Sequence, residues 1–388
     1  MSALAPLAEP ATAEQLLSAA LRGDETPSPA TTPMTEAVGT LAEVHGVEAL
    51  LSQLTAKGES LSHWPASLVH QFATAARHQA VADLVDRSAL KELVMRFESE
   101  GIRALLMKGS PLAYTHYLAP HLRPRGDTDI LVPESQREHT HQLLLDSGYQ
   151  AAVSDARGAA SYQLNYTKPF QHGTAHLIDL HWRLSNRQIF ARLFHHDELW
   201  QAAMPVPQLG SGAHALSPPH ALVFACAHRA THIVAPILIR GQRYYEPNRL
   251  IWLYDIRLLC DHFTEADWTA FTRAAIEKNM RAVCLDGLDA AEALVRAPIP
   301  AHVRRTLSAP APPEASANYL RHRSPLTRWM ADVSAMPTLT QRAGLLMDYL
   351  FPPADHMLRK YNTQRRALLP FLYARRILFG LPKAGKGR

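Results

Sequence analysis

The sequence predicts an α+β fold, a small mixed sheet flanked by N-terminal helices and a C-terminal helical region. Three observations predict it. Apolar residues recur at helical spacing on both sides of the middle of the chain. Between residues 101 and 190 that spacing gives way to short apolar and alternating runs. Turn-forming residues separate those runs, as in one compact α/β unit. The 388 residues are 47% hydrophobic and 19% charged, enough apolar material for a folded core and too little charge for a disordered chain.

In chain order, residues 1–33 read as an N-terminal segment, with one short helix around AEQLLSAAL, and a linker, DETPSPATTP. Residues 34–100 form a helical region. Val38, Leu41, Val44, Val47 and Leu50 keep a helical period from Met34 to about Lys57, and a second stretch runs from about Ser67 to Glu100, stopped by Gly101. Residues 101–190 are the α/β core. IRALLM reads as a strand, and Ser110-Pro111 opens a helix with serine as its cap. Asp129 to Val132 is a second strand, and Pro133 to Leu145 a helix closed by Gly148. Extended pieces follow near 149–154 and 161–170, and HLIDLHWRL (176–184) is the last strand. Residues 191–308 read as a helical domain, with helices starting at Ser217-Pro218 and running from Arg249 to Cys260. After the Pro-rich APAPPEA, residues 309–388 complete the chain as a linker and basic C-terminal helical region.

Composition excludes several classes. Cys226, Cys260 and Cys284 are odd in number and lack metal-ligand spacing, which argues against a disulfide framework and for a reducing, cytoplasmic setting. MSALAPLAEPATAEQ has neither the basic nor the apolar part of a secretory signal, so none is expected. The stretch ALVFACAHRATHIVAPILIR is interrupted by His228, Arg229 and His232 and reads as a buried helix; no transmembrane segment is expected. The net charge of +5 is compatible with an anionic partner and does not by itself indicate nucleic acid.

The chemistry-bearing residues are carboxylates. Asp127 and Asp129 stand two apart, so on a strand they face the same side. Two like charges so placed raise one another's pKa unless a cation sits between them. Asp179 lies in an apolar frame, Leu177-Ile178-Asp179-Leu180, where a lone charge is costly and needs a partner. Three carboxylates on adjacent strands can hold two Mg2+ ions (or Mn2+) in the arrangement used for in-line phosphoryl displacement. The simpler reading is a turn residue at Asp127 and an arginine pair at Asp179. Upstream, Lys108-Gly109-Ser110 ends a strand and opens a helix. Backbone N–H groups at a helix start bind anions, glycine permits close approach, and the Ser110 hydroxyl adds a donor. Lys108 either reaches a phosphate or points outward.

The order of LLMKGSPLAY, LRPRGDTDILV and HLIDLHWRL resembles the DNA polymerase beta superfamily of nucleotidyltransferases. Within it the chain is similar to a largely uncharacterised bacterial nucleotidyltransferase family, which also has a later helix with histidine and a Trp-x-x-Asp element, here His228 and Trp252 to Asp255. The resemblance covers about residues 40–260. Lys108 departs from the apolar residue usual before the turn, and Ser110 to Asp127 is a long spacing. The resemblance implies a nucleotidyltransferase palm and transfer of an NMP group from an NTP, ATP included, with release of pyrophosphate. Asp127, Asp129 and Asp179 are then the catalytic metal ligands, and Lys108, Gly109, Ser110, Arg123 and Arg125 bind the nucleotide. The acceptor is open: a small molecule, a glycan precursor, a protein or a tRNA end. The alternative on the same fold is a non-catalytic nucleotide-binding or toxin–antitoxin module.

Other residues carry two readings each. Arg123 and Arg125 either clamp a triphosphate or pair with Asp127 or Asp179. His181 shares a strand face with Asp179, as an orienting donor to a carboxylate or as a contact to water or substrate. His228 and His232, four apart on a helix, are core histidines, part of a zinc site, or a cleft wall opposite the carboxylates. Asp255 pairs with Arg249 or Arg257, or stands near the acceptor. The tail from Arg359 has no acid after Asp355 and interleaves Tyr361, Phe371, Tyr373 and Phe379 with basic residues. It either meets RNA or an anionic membrane surface, or packs on the body.

Overall fold

A computed structural model describes residues 11–56, 61, 63–152, 162–170, 174–321, 324–336 and 338–380. Lys57, the extended residues expected at 153, 154 and 161, and Lys383, Lys386 and Arg388 of the basic tail lie outside the described residues.

The N-terminal part is helical: α1 (Ala13–Arg22), α2 (Thr32–His45), α3 (Glu48–Ala56) and α4 (Ala66–Ser99). The single helix expected from Met34 to Lys57 is two, because Gly46 takes a left-handed conformation (φ 70°) that ends α2. The 34 residues of α4 run without interruption and stop two residues before Gly101 (φ 65°).

The core follows as β1 (Leu105–Leu106), α5 (Gly109–Thr115), β2 (Thr128–Leu131), α6 (Arg137–Asp146), β3 (Gln150–Ala151), β4 (Gln163–Pro169) and β5 (Ala175–His181). Two expectations change here. Ser110 lies inside α5, not at its cap; the capping position is Lys108, whose side chain makes no cap bond. Nor is β5 the last strand: after α7 (Gln188–Ala191) and α8 (His196–Gln201) the chain adds β6 (Met204–Pro205) and β7 (His214–Ala215). The seven strands form one sheet in the order β3-β4-β5-β2-β1-β7-β6. It is mixed: β2 is parallel to β5 and β1 to β7, while the other neighbours are antiparallel. Ile130, Tyr166, Ile178 and Leu180 are fully buried and join Leu93, Phe97 and Leu144 of the covering helices in one core.

The rest is mainly helical: α9 (Pro218–His232), a hairpin of β8 (Ile237–Ile239) and β9 (Gln242–Tyr244), α10 (Leu250–Asp261), α11 (Glu265–Glu277), α12 (Arg281–Val295) and α13 (Ala301–Ser308). Then come α14 (Asn318–Arg321), α15 (Pro325–Ala335), α16 (Leu339–Leu350), α17 (Ala354–Lys360) and α18 (Leu369–Gly380). A second core joins α1–α3 to α9–α12 through Leu17, Leu51, Leu253 and Leu288. The N-terminal helices therefore pack on the later helical region as well as beside the sheet. In the described part of the tail, Arg376 donates to the Tyr349 carbonyl and Tyr373 to that of Pro352, so α18 is tied to α16 and the turn after it, within the same C-terminal region. No helix among the described residues is long and apolar enough to cross a membrane.

Candidate active site

A cavity of about 530 Å³ lies between the sheet and the helices α9 and α10. Its sheet wall carries Lys108, Asp127, Asp129 and Asp179; its helical wall carries His228, His232, Arg249, Trp252 and Asp255. Asp129 and Asp179 are paired in register across the parallel strands β2 and β5. Period two along β5 puts Asp179 and His181 on one face and the buried Ile178 and Leu180 on the other. Asp127 stands one residue ahead of β2 rather than within it, on an exposed stretch of backbone, and lines the cavity.

The three acids have different electrostatic settings. Asp129 is buried, and its Oδ1 accepts from Lys108 Nζ at 2.5 Å and from His181 Nε2 at 2.9 Å. Burial pushes its carboxyl up, but Lys108 and His181 outweigh that and hold it at about 2. The same pairing keeps the Lys108 ammonium above its usual range against the pull of burial. Asp179 is pushed up to about 7 by burial and then by the charges of Asp127 and Asp129. Asn165 Nδ2 donates to its Oδ1 at 2.5 Å. Asp127 is also raised, by burial of its carboxyl and by Asp129.

This donor set fits a divalent cation. One donor atom each from Asp129, Asp179 and His181 lies within 4.8 Å of the others. The Nδ1 of His181 is buried with no hydrogen-bond partner. Mutual repulsion among the carboxylates is what a divalent ion relieves. Asp127 lies outside that tight group and His181 lies inside it, at hydrogen-bond distance from Asp129 as an orienting donor would be. His228 and His232 belong to no such group among the described residues, and their rings pack on Trp252 instead.

Both arginines ahead of the acids are engaged elsewhere. Arg123 forms a buried ion pair with Asp255, Nε to Oδ1 at 2.8 Å and Nη2 to Oδ2 at 2.7 Å. The partner of Asp255 is thus neither Arg249 nor Arg257, and that of Arg123 is neither Asp127 nor Asp179. Tyr117 adds its hydroxyl to Asp255 at 2.8 Å. Arg125 pairs with the buried Asp83 of α4 and lies over the Tyr114 ring. Gly109 has a specific reason to be glycine: a Cβ there would fall 2.5 Å from Arg123 Cζ. The space assigned from sequence to an approaching phosphate is filled by the Arg123 guanidinium. Ser110 is buried and lines the cavity. Lys108 holds a left-handed φ of 56°, rare for a side-chain-bearing residue, and its ion pair with Asp129 supplies a counterweight to that strain.

Arg249, His232 and Trp252 were not singled out as a binding set by sequence. The signal was partial: Trp252 belongs to the Trp-x-x-Asp element, while nothing local marks Arg249 as unpaired.

Residues 34–296 match a protein family described as "Uncharacterised nucleotidyltransferase", a span that includes every residue of both cavity walls. The crystal structure of an antigenic nucleotidyltransferase-like protein from Paracoccidioides brasiliensis is similar over 54% of this chain and 94% of that chain, at 15% identity and a TM-score of 0.30. No curated protein matches the chain.

Proposed function

Because the chain belongs to this family of uncharacterised nucleotidyltransferases, we propose that it moves an NMP group from an NTP to an acceptor and releases pyrophosphate. The observation that carries the reading is the convergence of Asp127, Asp129 and Asp179 at one end of a cavity, with Asp129 and Asp179 in register on β2 and β5. Asp127, Asp129, Asp179 and His181 are the residues to hold divalent ions, Mg2+ or Mn2+, which when bound stabilise charge on the phosphates and acidify the acceptor hydroxyl.

The chain's own groups do the rest. His181 orients Asp129 through Nε2, and Asn165 orients Asp179 through Nδ2. Asp179, on the strand face beside Asp129, accepts the proton of the acceptor hydroxyl. Lys108 Nζ, now on Asp129, is the cation placed to meet the triphosphate, and it would be released to it where a metal ion took its place on the acid. The helical wall excludes water and presents the acceptor.

The non-catalytic alternative has one observation in its favour. The Lys108 ammonium sits on Asp129 as a built-in cation would in a site that no longer takes metal.

The experiment is label transfer from each α-phosphate-labelled NTP with Mg2+, alone and with cell extract. Wild type is expected to yield labelled product and pyrophosphate, with Asp127→Ala and Asp179→Ala lower by roughly 100-fold or more. Absence of transfer by wild type together with retained NTP binding supports the non-catalytic reading. Equal labelling by wild type and Asp127→Ala rejects the assignment of the acids.

A further inference from the structure

The helical wall holds a guanidinium that feels the charge of Asp255 but forms no ion pair with it or with any other described carboxylate. Arg249 immediately precedes α10, is mostly buried and lines the cavity. Its Nε donates to the Val44 carbonyl at 3.0 Å, and its Cζ is 5.5 Å from the centre of the Trp252 ring. It forms no ion pair among the described residues. The acid of its own wall is already saturated: Asp255 accepts from Arg123 on both oxygens and from Tyr117. Across the cavity, Lys108 holds Asp129. An unpaired charge withdrawn from water costs several kcal/mol. Burial, and then repulsion by Arg123, draws this guanidinium down to about 10, which leaves it charged at neutral pH.

Its neighbours suit a small anion's body. His228 and His232 lie one turn apart on α9, their ring centres 4.5 Å from each other and 5.0 and 5.4 Å from Trp252. Burial first, then nearby cations, pulls both imidazoles well down, so they are neutral. Both histidines line the cavity beside Arg249 and Trp252. One wall is therefore acidic and the other flat, aromatic and cationic.

We propose that Arg249 and the face of Trp252 form the acceptor subsite, and that the acceptor is a small molecule carrying a phosphate or carboxylate group. The guanidinium takes that anion through its Nη atoms, which make no hydrogen bond of their own among the described residues although Nη2 packs beside Gly46, while the rings pack on the rest. The volume of about 530 Å³ is in the small-molecule range. The inference rests on the reading above in one respect: the aspartate end is the nucleotide's, so the cationic end is the acceptor's.

The test is thermal melting of the full chain with inorganic phosphate, with acetate and with Mg·ATP, Mg·GTP, Mg·CTP or Mg·UTP, for wild type, Arg249→Gln, Arg249→Lys and Asp127→Asn. A specific ligand raises the melting temperature by mass action. Phosphate or acetate is expected to stabilise wild type and Asp127→Asn, and not Arg249→Gln; which of the two acts identifies the group. Mg·ATP is expected to stabilise wild type and Arg249→Gln alike, and not Asp127→Asn. The proposal is overturned if neither anion acts on wild type, if both act equally on Arg249→Gln, or if Arg249→Gln loses the Mg·ATP response and so shows Arg249 on the triphosphate. Should Arg249→Gln not fold, Arg249→Lys decides: the half-saturating anion concentration is expected to rise severalfold because the fork geometry is lost, and an unchanged value overturns the proposal. If none of Mg·ATP, Mg·GTP, Mg·CTP and Mg·UTP moves wild type while the anion response still needs Arg249, the anion site stands and nucleotidyl transfer falls.

Discussion

Asp179 sits in an electrical conflict that the protein alone does not resolve. Its carboxyl is raised to about 7, against 3.8 ordinarily, by burial and by Asp127 and Asp129. Between pH 4 and 7 the folded chain holds a proton at Asp179 that the unfolded chain has lost, so this group's contribution falls as pH rises through that window. Without metal, Asp179→Asn is therefore expected to be the more stable protein at pH 8, by roughly 2–4 kcal/mol, since about three pKa units set a ceiling near 4 kcal/mol. Asparagine still offers an acceptor to Asn165, so the swap isolates charge. The gap is expected to close toward pH 4, and to narrow at pH 8 when Mg2+ or Mn2+ is added, because the ion stabilises only the intact acid set. Urea denaturation at pH 4, 6 and 8, with and without metal, checks this; an Asp179→Asn protein no more stable than wild type at pH 8 contradicts it.

At the scale of elements, α4 acts as a clamp on the site. Asp83, near its middle, is 5% exposed and binds both the Tyr114 hydroxyl of α5 and Arg125 of the loop that carries Asp127. Removing one partner of a buried pair leaves an uncompensated charge, so Asp83→Ala is expected to cost about 3–5 kcal/mol. Asp83→Asn, which keeps acceptors for Tyr114 and Arg125, is expected to cost less. Chemical denaturation of the two variants measures it, and a loss under about 1 kcal/mol in Asp83→Ala removes the clamp from the account. This contact also marks where sequence reading ends. The order strand, turn, helix, strand with Asp129, strand with Asp179 was legible because each piece has its own period and punctuation. The alternation through Ile178 and Leu180 put Asp179 and His181 on one face. What pairs with what was not legible. Arg123 meets Asp255 across 132 residues and Arg125 meets Asp83 across 42, and no local pattern selects such partners. The two-residue strands β6 and β7 were missed for a related reason: they are held by the edge of β1, not by any β-forming run of their own.

For the molecule as a whole, the packing of histidines sets an acid limit. His45, His116, His176 and His232 are each drawn down to about 4, with burial the leading cause at all four. They are spread over α2, the end of α5, β5 and α9, so they bear on both the sheet and the helical region. A histidine whose folded pKa is depressed binds its proton more readily when unfolded, so stability rises with pH across 4 to 6.5 and is lost as pH falls below 6.5. At pH 5 each of the four costs about 2 kcal/mol relative to pH 7.5, since about 1.5 units of titration at 1.36 kcal/mol per unit have then accrued. Together they cost about 8 kcal/mol, and Asp179, with the opposite sign, returns about 2–3. Glu48, Asp86 and Asp332 are also raised and His196, His220 and His228 also lowered by burial, so both sides grow and the net is a loss on the order of a few kcal/mol, a large part of the stability of many domains. The chain is expected to lose most of its stability between pH 6.5 and 5, well above the range in which carboxylate pairs such as Lys108–Asp129 titrate. Urea midpoints followed by circular dichroism and tryptophan fluorescence at pH 7.5, 6.5, 5.5 and 5.0 measure the fall. A stability at pH 5 within about 1 kcal/mol of that at pH 7.5 means that these rings reach water before they must take their protons, and that the two cores open locally rather than together.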